Sequence, residues 1–372
     1  MHIDQPDAWN GLVTKYKTTI QQLLAHDDIA EHLRIIDTYE THSVFGSVLQ
    51  AVTASIAAWQ TFDSALYSQL VNIAAILNIS VLKVFLLQLM YEINARCTSV
   101  VLRTKKGTVV HGRTMDWGIA LLEKLSVPVA VYANKKQIGS CMHFVGCVGM
   151  FTCMRNHAYS ITINFRVFNK KDSLKNAISI INKRLGWLNP FGTMVDLLRT
   201  MGATNDTLQM LSQLVKIGYG MVDNVPVTFL LRNILLENAT YEQALHRLKT
   251  APIFTQIYFT IAGVKNGAIV ARSPVKVDGL KELTPSTRYI IQPNMDWWSK
   301  SAVDIMHSKK RTCTMEKILN KSYADQDAKK NVAETLWDAM KKGGHPRICN
   351  PITVYSTLFV PSHDVFYYTI GN

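Results

Sequence analysis

The chain has 372 residues, of which 48% are hydrophobic and 18% are charged, a composition typical of a globular protein with a sizeable core and not of a disordered chain. Forty basic and 27 acidic residues give a net charge of +13, which favours anionic partners. We expect no nucleic-acid partner, because the basic residues form no run longer than three and no zinc-finger or RNA-recognition motif is present. An anionic membrane surface is the favoured alternative.

The N-terminal residues 1–7 lack the charged and then apolar layout of a signal peptide. This pattern predicts an intracellular or cytoplasmic protein, or one delivered by a non-classical route, that is peripheral to membranes. A lysosomal or secreted location is the alternative if a signal peptide has been removed. The uncharged stretches Thr41–Phe62 and Ser64–Leu82 contain many Ser, Thr, Gln and Asn residues, so they favour packed helices over membrane spans.

Residues 1–96 predict a series of helices, the last of which is apolar on all sides from Ile79 to Glu92 and leads to Arg96. After Arg96 the pattern changes to short alternating segments separated by turn residues, which indicates strands. The predicted strands in this part of the chain are 98–103, 108–112, 127–132, 138–146 and 159–168.

Helical patterns return after residue 173, and mixed elements follow to the end of the chain. The predicted helices are 174–185, 207–217, 226–236, 241–248, 302–319 and 331–340, and the predicted strands are 256–264, 267–272, 288–292, 352–360 and 365–369. Asn266-Gly267 is a strong hairpin signal. Because the strands occur in hairpins with helices segregated between them, the sequence predicts an α+β layered sandwich and not a parallel βαβ fold.

Cysteine usage limits the possible covalent and metal chemistry. The six cysteines are Cys97, Cys141, Cys147, Cys153, Cys313 and Cys349. None precedes Cys97, and no two have CxxC spacing. The even count permits disulfides, but the spacing matches neither a dense disulfide framework nor a zinc site, so reduced thiols are favoured and we expect no bound metal ion.

Cys97 is the strongest candidate for chemistry, since Arg113 and Asp116 follow it on the next predicted strand. A cysteine nucleophile needs a base, and His111 and His143 have the pattern of ordinary strand histidines. If Cys97 became the first residue of a chain, its own α-amine, with a pKa of about 8, would serve as that base. On the residues alone, a buried structural cysteine and a surface Arg113–Asp116 pair remain the alternative.

A series of short blocks extends from residue 91 to residue 358 in a recognisable order. The blocks are Tyr91-Glu92, Cys97-Thr98-Ser99-Val100-Val101, Lys106-Gly107, His111-Gly112-Arg113-x-Met115-Asp116, Gly146-x-Val148-Gly149-Met150-x-Thr152, Leu235–Glu242, Asn294-x-Asp296-x-Trp298, Arg311-Thr312 and Thr353–Leu358. In these blocks the sequence resembles the acid ceramidase and N-acylethanolamine acid amidase family of N-terminal nucleophile cysteine hydrolases.

The resemblance implies a four-layer αββα sandwich preceded by a helical segment. It further implies a zymogen that cuts itself between Arg96 and Cys97 into a helical α segment, residues 1–96, and a catalytic β segment, residues 97–372, with a helical insertion near 185–225. Because no cysteine precedes Cys97, we expect the α and β chains to associate noncovalently after cleavage. The resemblance implies neither a metal ion nor an organic cofactor.

The resemblance also implies roles for individual residues. Cys97 would be the nucleophile and its α-amine the general base, which Asp116 would hold in orientation. Arg113 would pair with Asp116 and stabilise charge near the thiolate. Asn294 would donate its side-chain amide to the oxyanion, and Arg311 matches a family arginine near the site. The residues expected to line the substrate pocket are Trp117, Phe165, Trp298 and Tyr355.

Two positions depart from the family pattern. Asn164-Phe165-Arg166 stands where relatives carry Asn-Glu-Arg, so a glutamate that supports processing is replaced, and we expect activity nearer neutral pH. Arg96 stands where relatives have an apolar residue, which leaves cleavage by an external trypsin-like protease as an alternative to self-cleavage.

The implied function is hydrolysis of the amide bond of a lipid, in first place ceramide to sphingosine and free fatty acid. The alternatives are an N-acylethanolamine amidase, a hydrolase of bile-salt or penicillin-type amides, and a catalytically silent relative that binds membranes. Part of the insertion near 185–225 has an apolar face that includes Met201, Leu208 and Leu211. Core or α/β-interface packing is the favoured interpretation of this face, and a lipid-admitting lid is the alternative.

Overall fold

The computed structural model describes residues 1–39, 50, 53–54, 56–61, 63–90, 96–166, 225–253, 255–274, 276–299, 304–325 and 330–371. The helices predicted at 174–185 and 207–217 lie outside these residues, as does the insertion near 185–225 apart from Val225. Tyr91-Glu92 lies outside them too. In the described residues the chain forms two antiparallel sheets with helices on the outer face of each.

The N-terminal segment is helical, as predicted. Helices with defined bounds in its described residues are α1 (Asn10–Lys15), α2 (Lys17–Leu24), α3 (Asp27–Tyr39), α4 (Ser64–Leu77) and α5 (Val81–Leu89), and residues 56–61 are helical as well. The Asp63 carboxylate accepts a hydrogen bond from the Leu66 N–H and caps α4, which ends at Asn78 in the left-handed region with φ of 57°. No single helix in the described ranges is long and apolar enough to cross a membrane; α4 and α5 meet this test only together and are bent by 111°.

The first sheet has five strands. They are β1 (Arg96–Arg103), β2 (Val109–Asp116), β10 (Tyr289–Gln292), β11 (Thr353–Val360) and β12 (Val365–Ile370), in the spatial order β10-β1-β2-β11-β12. At its centre, β1 and β2 form a hairpin in register from Arg96 opposite Asp116 to Arg103 opposite Val109. Gly107 closes the turn with φ of 89°, a conformation that favours glycine.

The second sheet has seven strands whose spatial order follows the chain. They are β3 (Ser126–Ala133), β4 (Lys136–Phe144), β5 (Thr152–Arg155), β6 (Tyr159–Phe165), β7 (Ile257–Gly263), β8 (Gly267–Arg272) and β9 (Val277–Glu282). Every neighbouring pair is antiparallel. The predicted hairpins are therefore the units from which this sheet is built.

Helices cover the outer faces of both sheets. They are α7 (Val227–Glu237), α8 (Tyr241–Thr250), α9 (Ser308–Ala324) and α10 (Val332–Met340), whereas the short α6 (Leu121–Leu125) contacts strands of both sheets. Helices α9 and α10 pack on the first sheet, whereas α7 and α8 pack on the second. A Cβ on Gly112 would lie 2.6 Å from the Met340 sulfur, so glycine permits the close approach of α10 to β2. This order of layers confirms the predicted αββα sandwich.

The alternation of side chains along β1 and β2 determines which layer each residue meets. Val100 belongs to the apolar cluster shared with α9 and α10, whereas Val101 belongs to the cluster between the two sheets. By the same period of two, Cys97 and Arg113 face the second sheet, and Asp116 faces the helices. The start of β1 and the end of β2 therefore bring reactive residues together on two different faces.

Candidate active site

Cys97 is fully buried and is held by contacts through three of its atoms. Its backbone N–H donates to Asn294 Oδ1 at 2.9 Å, and its carbonyl oxygen accepts from Arg311 Nη1 at 2.6 Å. Its Sγ accepts from Arg113 Nη2 at 3.1 Å. The structure thus brings four of the five predicted catalytic residues into direct contact around the Arg96–Cys97 peptide.

Arg113 is a buried guanidinium between the two sheets. In addition to Cys97 Sγ, it donates to the Tyr355 hydroxyl at 2.8 Å, to the Thr152 hydroxyl and to the Ile163 carbonyl at 3.0 Å. The Tyr355 hydroxyl and Thr152 Oγ1 also lie 2.9 Å apart. Tyr355 was predicted to line the substrate pocket, which stays a prediction; its hydroxyl accepts from Arg113, because β11 is the neighbour of β2 in the first sheet.

Asp116 lies on the opposite face of β2 from Arg113. Its partners there are Thr353 and Arg311, in place of the expected ion pair with Arg113. Its Oδ1 accepts from the Thr353 hydroxyl at 2.7 Å, and its Oδ2 lies 3.8 Å from Arg311 Nη1. Residues three apart on a strand point to opposite faces, which is the physical reason for this correction. Burial raises the pKa of Asp116, and the neighbouring Arg311 partly opposes that effect.

Asn294 joins the two faces, since its side-chain amide is bonded at both ends. Oδ1 accepts from the Cys97 N–H and from Arg311 Nη2 at 3.0 Å, and Nδ2 donates to the Phe165 carbonyl at 2.8 Å. Two donors on one end and a carbonyl on the other determine the orientation of the amide. In the uncleaved chain, Asn294 therefore presents its oxygen and not its NH2 group to Cys97.

Phe165 and Trp298 occupy a second group of contacts that surrounds Arg166. Arg166 forms ion pairs with Asp296, at 2.7 Å from Nε, and with Asp278, and its guanidinium lies 5.2 Å from the Trp298 ring. Trp298 is 43% exposed and covers Arg166 at the surface, and its predicted place in the substrate pocket stays a prediction. This Arg166 cluster was missed in the sequence because both aspartates lie more than a hundred residues from it.

Trp117 lines an apolar cavity of about 40 Å³ next to the site. The cavity lies between the N-terminal helices and the second sheet; among its lining residues are Ile20, Leu23, Leu87, Trp117, Phe144 and Phe151. Phe144 packs on both Phe151 and Tyr355, with ring centroids 5.3 and 5.6 Å apart. The aromatic wall of the cavity is therefore continuous with the residue that holds Arg113.

A larger cavity, of about 630 Å³, lies at the other end of the first sheet. Its lining includes Lys105, Lys106 and Lys330, at the turn between β1 and β2 and at the start of α10. Cys97 stands at the opposite end of β1, so this cavity is remote from the chemistry despite its size.

The two strand histidines are buried and neutral. The His111 ring nitrogens lie 2.9 Å from Ser160 Oγ and 3.1 Å from Thr162 Oγ1, and burial together with nearby Arg113 lowers its pKa to about 3. Burial lowers the pKa of His143 to about 3 as well, where its ring stacks on Trp9 at 4.0 Å. Their hydrogen bonds and stacking partners make them structural residues of the core.

Sequence reasoning also missed the residues that hold the active site in place. Ser308, the first residue of α9, accepts hydrogen bonds from the Asn294 N–H at 3.3 Å and from Arg311 Nη2 at 3.1 Å. Thr353 was quoted only as part of a matching block, yet it bonds Asp116 directly. Among the residues that the structure describes, no group of three His, Cys, Asp or Glu side chains could hold a metal ion.

Comparison with known proteins relates this geometry to a family. The family model described as linear amide C–N hydrolases, choloylglycine hydrolase family, matches residues 97–171, so the match begins at Cys97. The chain is 24% identical over 334 residues to acid ceramidase of Homo sapiens, which covers 84% of this chain and 72% of that protein. It is 24% identical over 290 residues to N-acylethanolamine-hydrolyzing acid amidase of Oryctolagus cuniculus, covering 76% and 66%.

Solved structures support the fold. The N-acylethanolamine-hydrolyzing acid amidase ortholog of Caenorhabditis elegans superimposes with a TM-score of 0.50 at 21% identity, covering 72% of this chain and 93% of that chain. The layers described above and this superposition agree on the same sandwich architecture.

Proposed function

We propose that this chain hydrolyses the amide bond of a lipid, in first place ceramide, after cutting itself between Arg96 and Cys97. The chain is an amide C–N hydrolase with the N-terminal nucleophile hydrolase fold, and it is similar to acid ceramidase and N-acylethanolamine-hydrolyzing acid amidase. One observation carries the proposal: the Cys97 nitrogen, sulfur and carbonyl oxygen are each held by a different side chain, those of Asn294, Arg113 and Arg311.

Self-cleavage would begin with attack of Cys97 Sγ on the carbonyl carbon of Arg96. The S–C bond forms and the C–N bond of the peptide breaks, while the thiol proton passes to the departing nitrogen, which becomes the α-amine of Cys97. Water then hydrolyses the thioester and releases the Arg96 carboxylate and the free thiol. Arg113 Nη2, at 3.1 Å from Sγ, stabilises negative charge on the sulfur during the attack.

The mature enzyme would use the new α-amine as its base. The neutral amine takes the thiol proton, and Sγ attacks the carbonyl of the lipid amide. The amine product leaves with that proton, and water hydrolyses the thioester to release the fatty acid. Asn294 Oδ1, at 2.9 Å from the Cys97 nitrogen, is placed to orient the amine. We therefore assign the orienting role to Asn294 in place of Asp116, which is bonded to Thr353.

The donors to the oxyanion follow from the same contacts. Asn294 Nδ2 donates to the Phe165 carbonyl in the uncleaved chain, so its predicted donation to the oxyanion requires it to exchange that acceptor for the substrate oxygen. We expect Arg113, which contacts the sulfur in the uncleaved chain, to stay next to it after cleavage. We expect Arg311 to hold the Cys97 carbonyl and to keep the end of β1 in place.

A precursor whose own peptide fills the site accounts for the burial of the nucleophile. Cys97 is 0% exposed, and Arg96 occupies the first rung of the β1–β2 ladder opposite Asp116. An external protease needs an unpaired, extended peptide, which a strand in a ladder does not offer. This geometry favours self-cleavage over a trypsin-like cut after Arg96.

The apolar cavity supports a lipid acyl chain as the substrate group. Its walls are contributed by both the α segment and the β segment, and its aromatic side leads through Tyr355 to Arg113 and Cys97. The cavity of about 40 Å³ has room for one or two methylene groups, each worth about 0.8 kcal/mol on burial, so a long acyl chain requires its lining side chains to move apart. A small polar amide would gain little there.

Polar contacts between the segments support a noncovalent complex after cleavage. Arg232 of the β segment is buried and lies 2.8 Å from Asp63 of the α segment. Gln88 of the α segment donates to the Gly146 carbonyl at 3.2 Å and accepts from the Val148 N–H at 2.8 Å. Residues 1–96 contain five basic and nine acidic residues, whereas the rest of the chain is strongly basic. The acidic α segment and the basic β segment therefore attract each other. The basic β segment also suits binding to the anionic cytoplasmic surface of a membrane.

Intact mass measured over time, from acidic to neutral pH, tests the self-cleavage step. Wild type should split between Arg96 and Cys97 without added protease, Cys97→Ala should stay whole, and the exposed-cysteine control Cys313→Ala should split like wild type. Because Phe165 replaces the family glutamate, cleavage should be fastest near neutral pH. Cleavage of Cys97→Ala would show that an external protease acts, and an intact wild type at every pH would refute self-cleavage.

Product analysis with paired substrates tests the lipid assignment. The cleaved enzyme should release fatty acid from ceramide faster than from an N-acylethanolamine of the same chain, and short acyl chains should react more slowly than long ones. A preference for the N-acylethanolamine would replace ceramide as the substrate. Equal rates for short and long chains would argue against the apolar cavity as the acyl site.

A further inference from the structure

Two cysteines remote from Cys97 face each other across neighbouring strands. Cys141 on β4 lies directly opposite Cys153 on β5. The Asn156 N–H donates to the Ile138 carbonyl at 3.0 Å, so residues 138 and 156 form a hydrogen-bonded pair of this ladder. Hydrogen-bonded and non-hydrogen-bonded pairs alternate along antiparallel strands. Three positions further along, Cys141 and Cys153 are therefore a non-hydrogen-bonded pair, in which side chains approach most closely.

The geometry of such a pair matches that of a disulfide. Non-hydrogen-bonded partners have Cα atoms about 4.5 Å apart, and disulfides join Cα atoms about 4.4–6.8 Å apart. Direct partners also point to the same face of the sheet. Both side chains are fully buried, and burial, with the neighbouring Cys153 as a further cause, raises the pKa of the Cys141 thiol. The two sulfurs are thus adjacent but protonated in the folded reduced chain.

We propose that Cys141 and Cys153 form a disulfide bond when the chain folds in an oxidising environment. A small disulfide such as oxidised glutathione is the oxidant. Its S–S bond breaks, the Cys141–Cys153 bond forms, and the two protons and two electrons of the thiols pass to the reagent, which leaves as two thiols. Because burial protects thiols from exchange, the reaction takes place before the sheet is covered. In a reducing compartment the pair stays as two thiols.

The bond would affect the wall of the apolar cavity. Cys141 and Cys153 close the stem of the connection between β4 and β5, residues 145–151, and this connection contributes Gly146 and Phe151 to the cavity. The same connection reaches the active site, since the Phe151 carbonyl accepts from Arg113 Nη1 at 3.4 Å. A covalent stem would hold this wall in place without touching Cys97.

Thiol alkylation and peptide mapping test the proposal on the full chain. Cys97→Ala, which cannot cut itself, is unfolded and refolded in parallel in a glutathione redox buffer and in a reducing buffer, and folding is verified by circular dichroism. After denaturation and alkylation, the first sample should contain one linked peptide pair joining Cys141 to Cys153, with Cys147, Cys313 and Cys349 alkylated. In the second sample, all cysteines should be alkylated. Alkylated Cys141 and Cys153 in the correctly folded first sample would overturn the proposal, as would a link to Cys147.

Matched variants separate this pair from its neighbours. Cys141→Ser should leave Cys153 open to alkylation, whereas Cys147→Ser, on the same connection, should leave the link intact. The linked form should melt at a higher temperature than the reduced form, and Cys153→Ala should abolish that difference. Equal melting temperatures of linked and reduced chains would contradict the stiffening of the 145–151 connection, and a persistent link in Cys153→Ala would contradict the assigned pair.

Discussion

The residues on the two faces of the first sheet contact different atoms of Cys97, the sulfur on one face and the carbonyl oxygen on the other. On the face toward the second sheet, Arg113 donates to the Cys97 sulfur, among the hydroxyls of Thr152 and Tyr355. On the face toward the helices, Arg311 donates to the Cys97 carbonyl and lies near Asp116. In the proposed mechanism, the first face controls the charge on the Cys97 sulfur, and the other face controls the position of the Cys97 backbone. The two functions can be changed separately.

Arg113→Lys should have the largest effect, because it acts on the reacting sulfur. A lysine carries the charge but cannot keep the planar set of donors that reaches the sulfur, Thr152 and Tyr355 together. We expect the rate of self-cleavage to fall on the order of 10²–10³-fold, which is typical for loss of one preorganised donor. A time course of intact mass measures it, with Arg103→Lys at the other end of β1 as control. A rate within a few-fold of wild type would contradict the assignment of charge control to the face that carries Arg113.

Arg311→Lys should act mainly on stability. Loss of its bonds to the Cys97 carbonyl and to Asn294 should lower the free energy of unfolding by about 2 kcal/mol, the usual range for a hydrogen bond to a charged group. Urea unfolding of Cys97→Ala with and without Arg311→Lys measures this difference, because neither protein can cut itself. Lys310→Arg on the exposed side of α9 is the control. Unchanged stability would contradict the assigned positional role.

Tyr355→Phe tests whether the position of Arg113 at the Cys97 sulfur depends on the Tyr355 hydroxyl. The variant keeps the ring against Phe144 but removes the hydroxyl that accepts from Arg113. We expect kcat to fall about tenfold, corresponding to about 1.4 kcal/mol, with little change in KM. Tyr367→Phe, on an exposed ring of β12, should leave kcat unchanged. A rise in KM alone would restore Tyr355 to the pocket wall predicted from the sequence.

His111→Gln should have the smallest effect at neutral pH, because the protonation of this residue affects stability only in acid. The pKa of His111 is lowered from 6.5 to about 3, first by burial and then by Arg113, so the unfolded chain takes up its proton at higher pH than the folded one. The stability contributed by neutral His111 is complete above pH 6.5 and declines as the pH falls toward 3, by about 1.4 kcal/mol for each pH unit. Urea unfolding of Cys97→Ala across this range should show a steeper decline than the same chain with His111→Gln. The exposed-histidine control His246→Gln should keep the steeper decline.

Elements with strong local patterns could be predicted from the sequence, and elements that depend on neighbours could not. The β1–β2 and β7–β8 hairpins have alternating apolar residues around turn residues, and both were predicted. Strand β5 has only four residues, Thr152–Arg155, and was missed because pairing with β4 and β6 makes it a strand. Strand β9 was missed as well. It contains Gly279, where a Cβ would lie 2.5 Å from the Trp298 ring, so packing and not propensity determines that residue.

The same division applies to the site. That Cys97, Arg113 and Asp116 lie near one another follows from a short hairpin, and the odd spacing of Arg113 and Asp116 already places them on opposite faces. The orientation of Asn294 could not be predicted, because it depends on the distant Phe165 carbonyl and on Arg311. The contacts of Ser308 with both residues come from the packing of α9 and have no motif in the sequence.

The register of β1 has a consequence for how such a protein can evolve. Cys97 reaches Arg113 only because it lies an even number of positions, four, before Val101, which is anchored between the sheets. Insertion or deletion of one residue in this interval would turn the sulfur toward Arg311 and the helices, however well each remaining side chain was preserved. Substitutions can therefore accumulate until most of the sequence has changed, while the length of this short strand is inherited as a fixed unit.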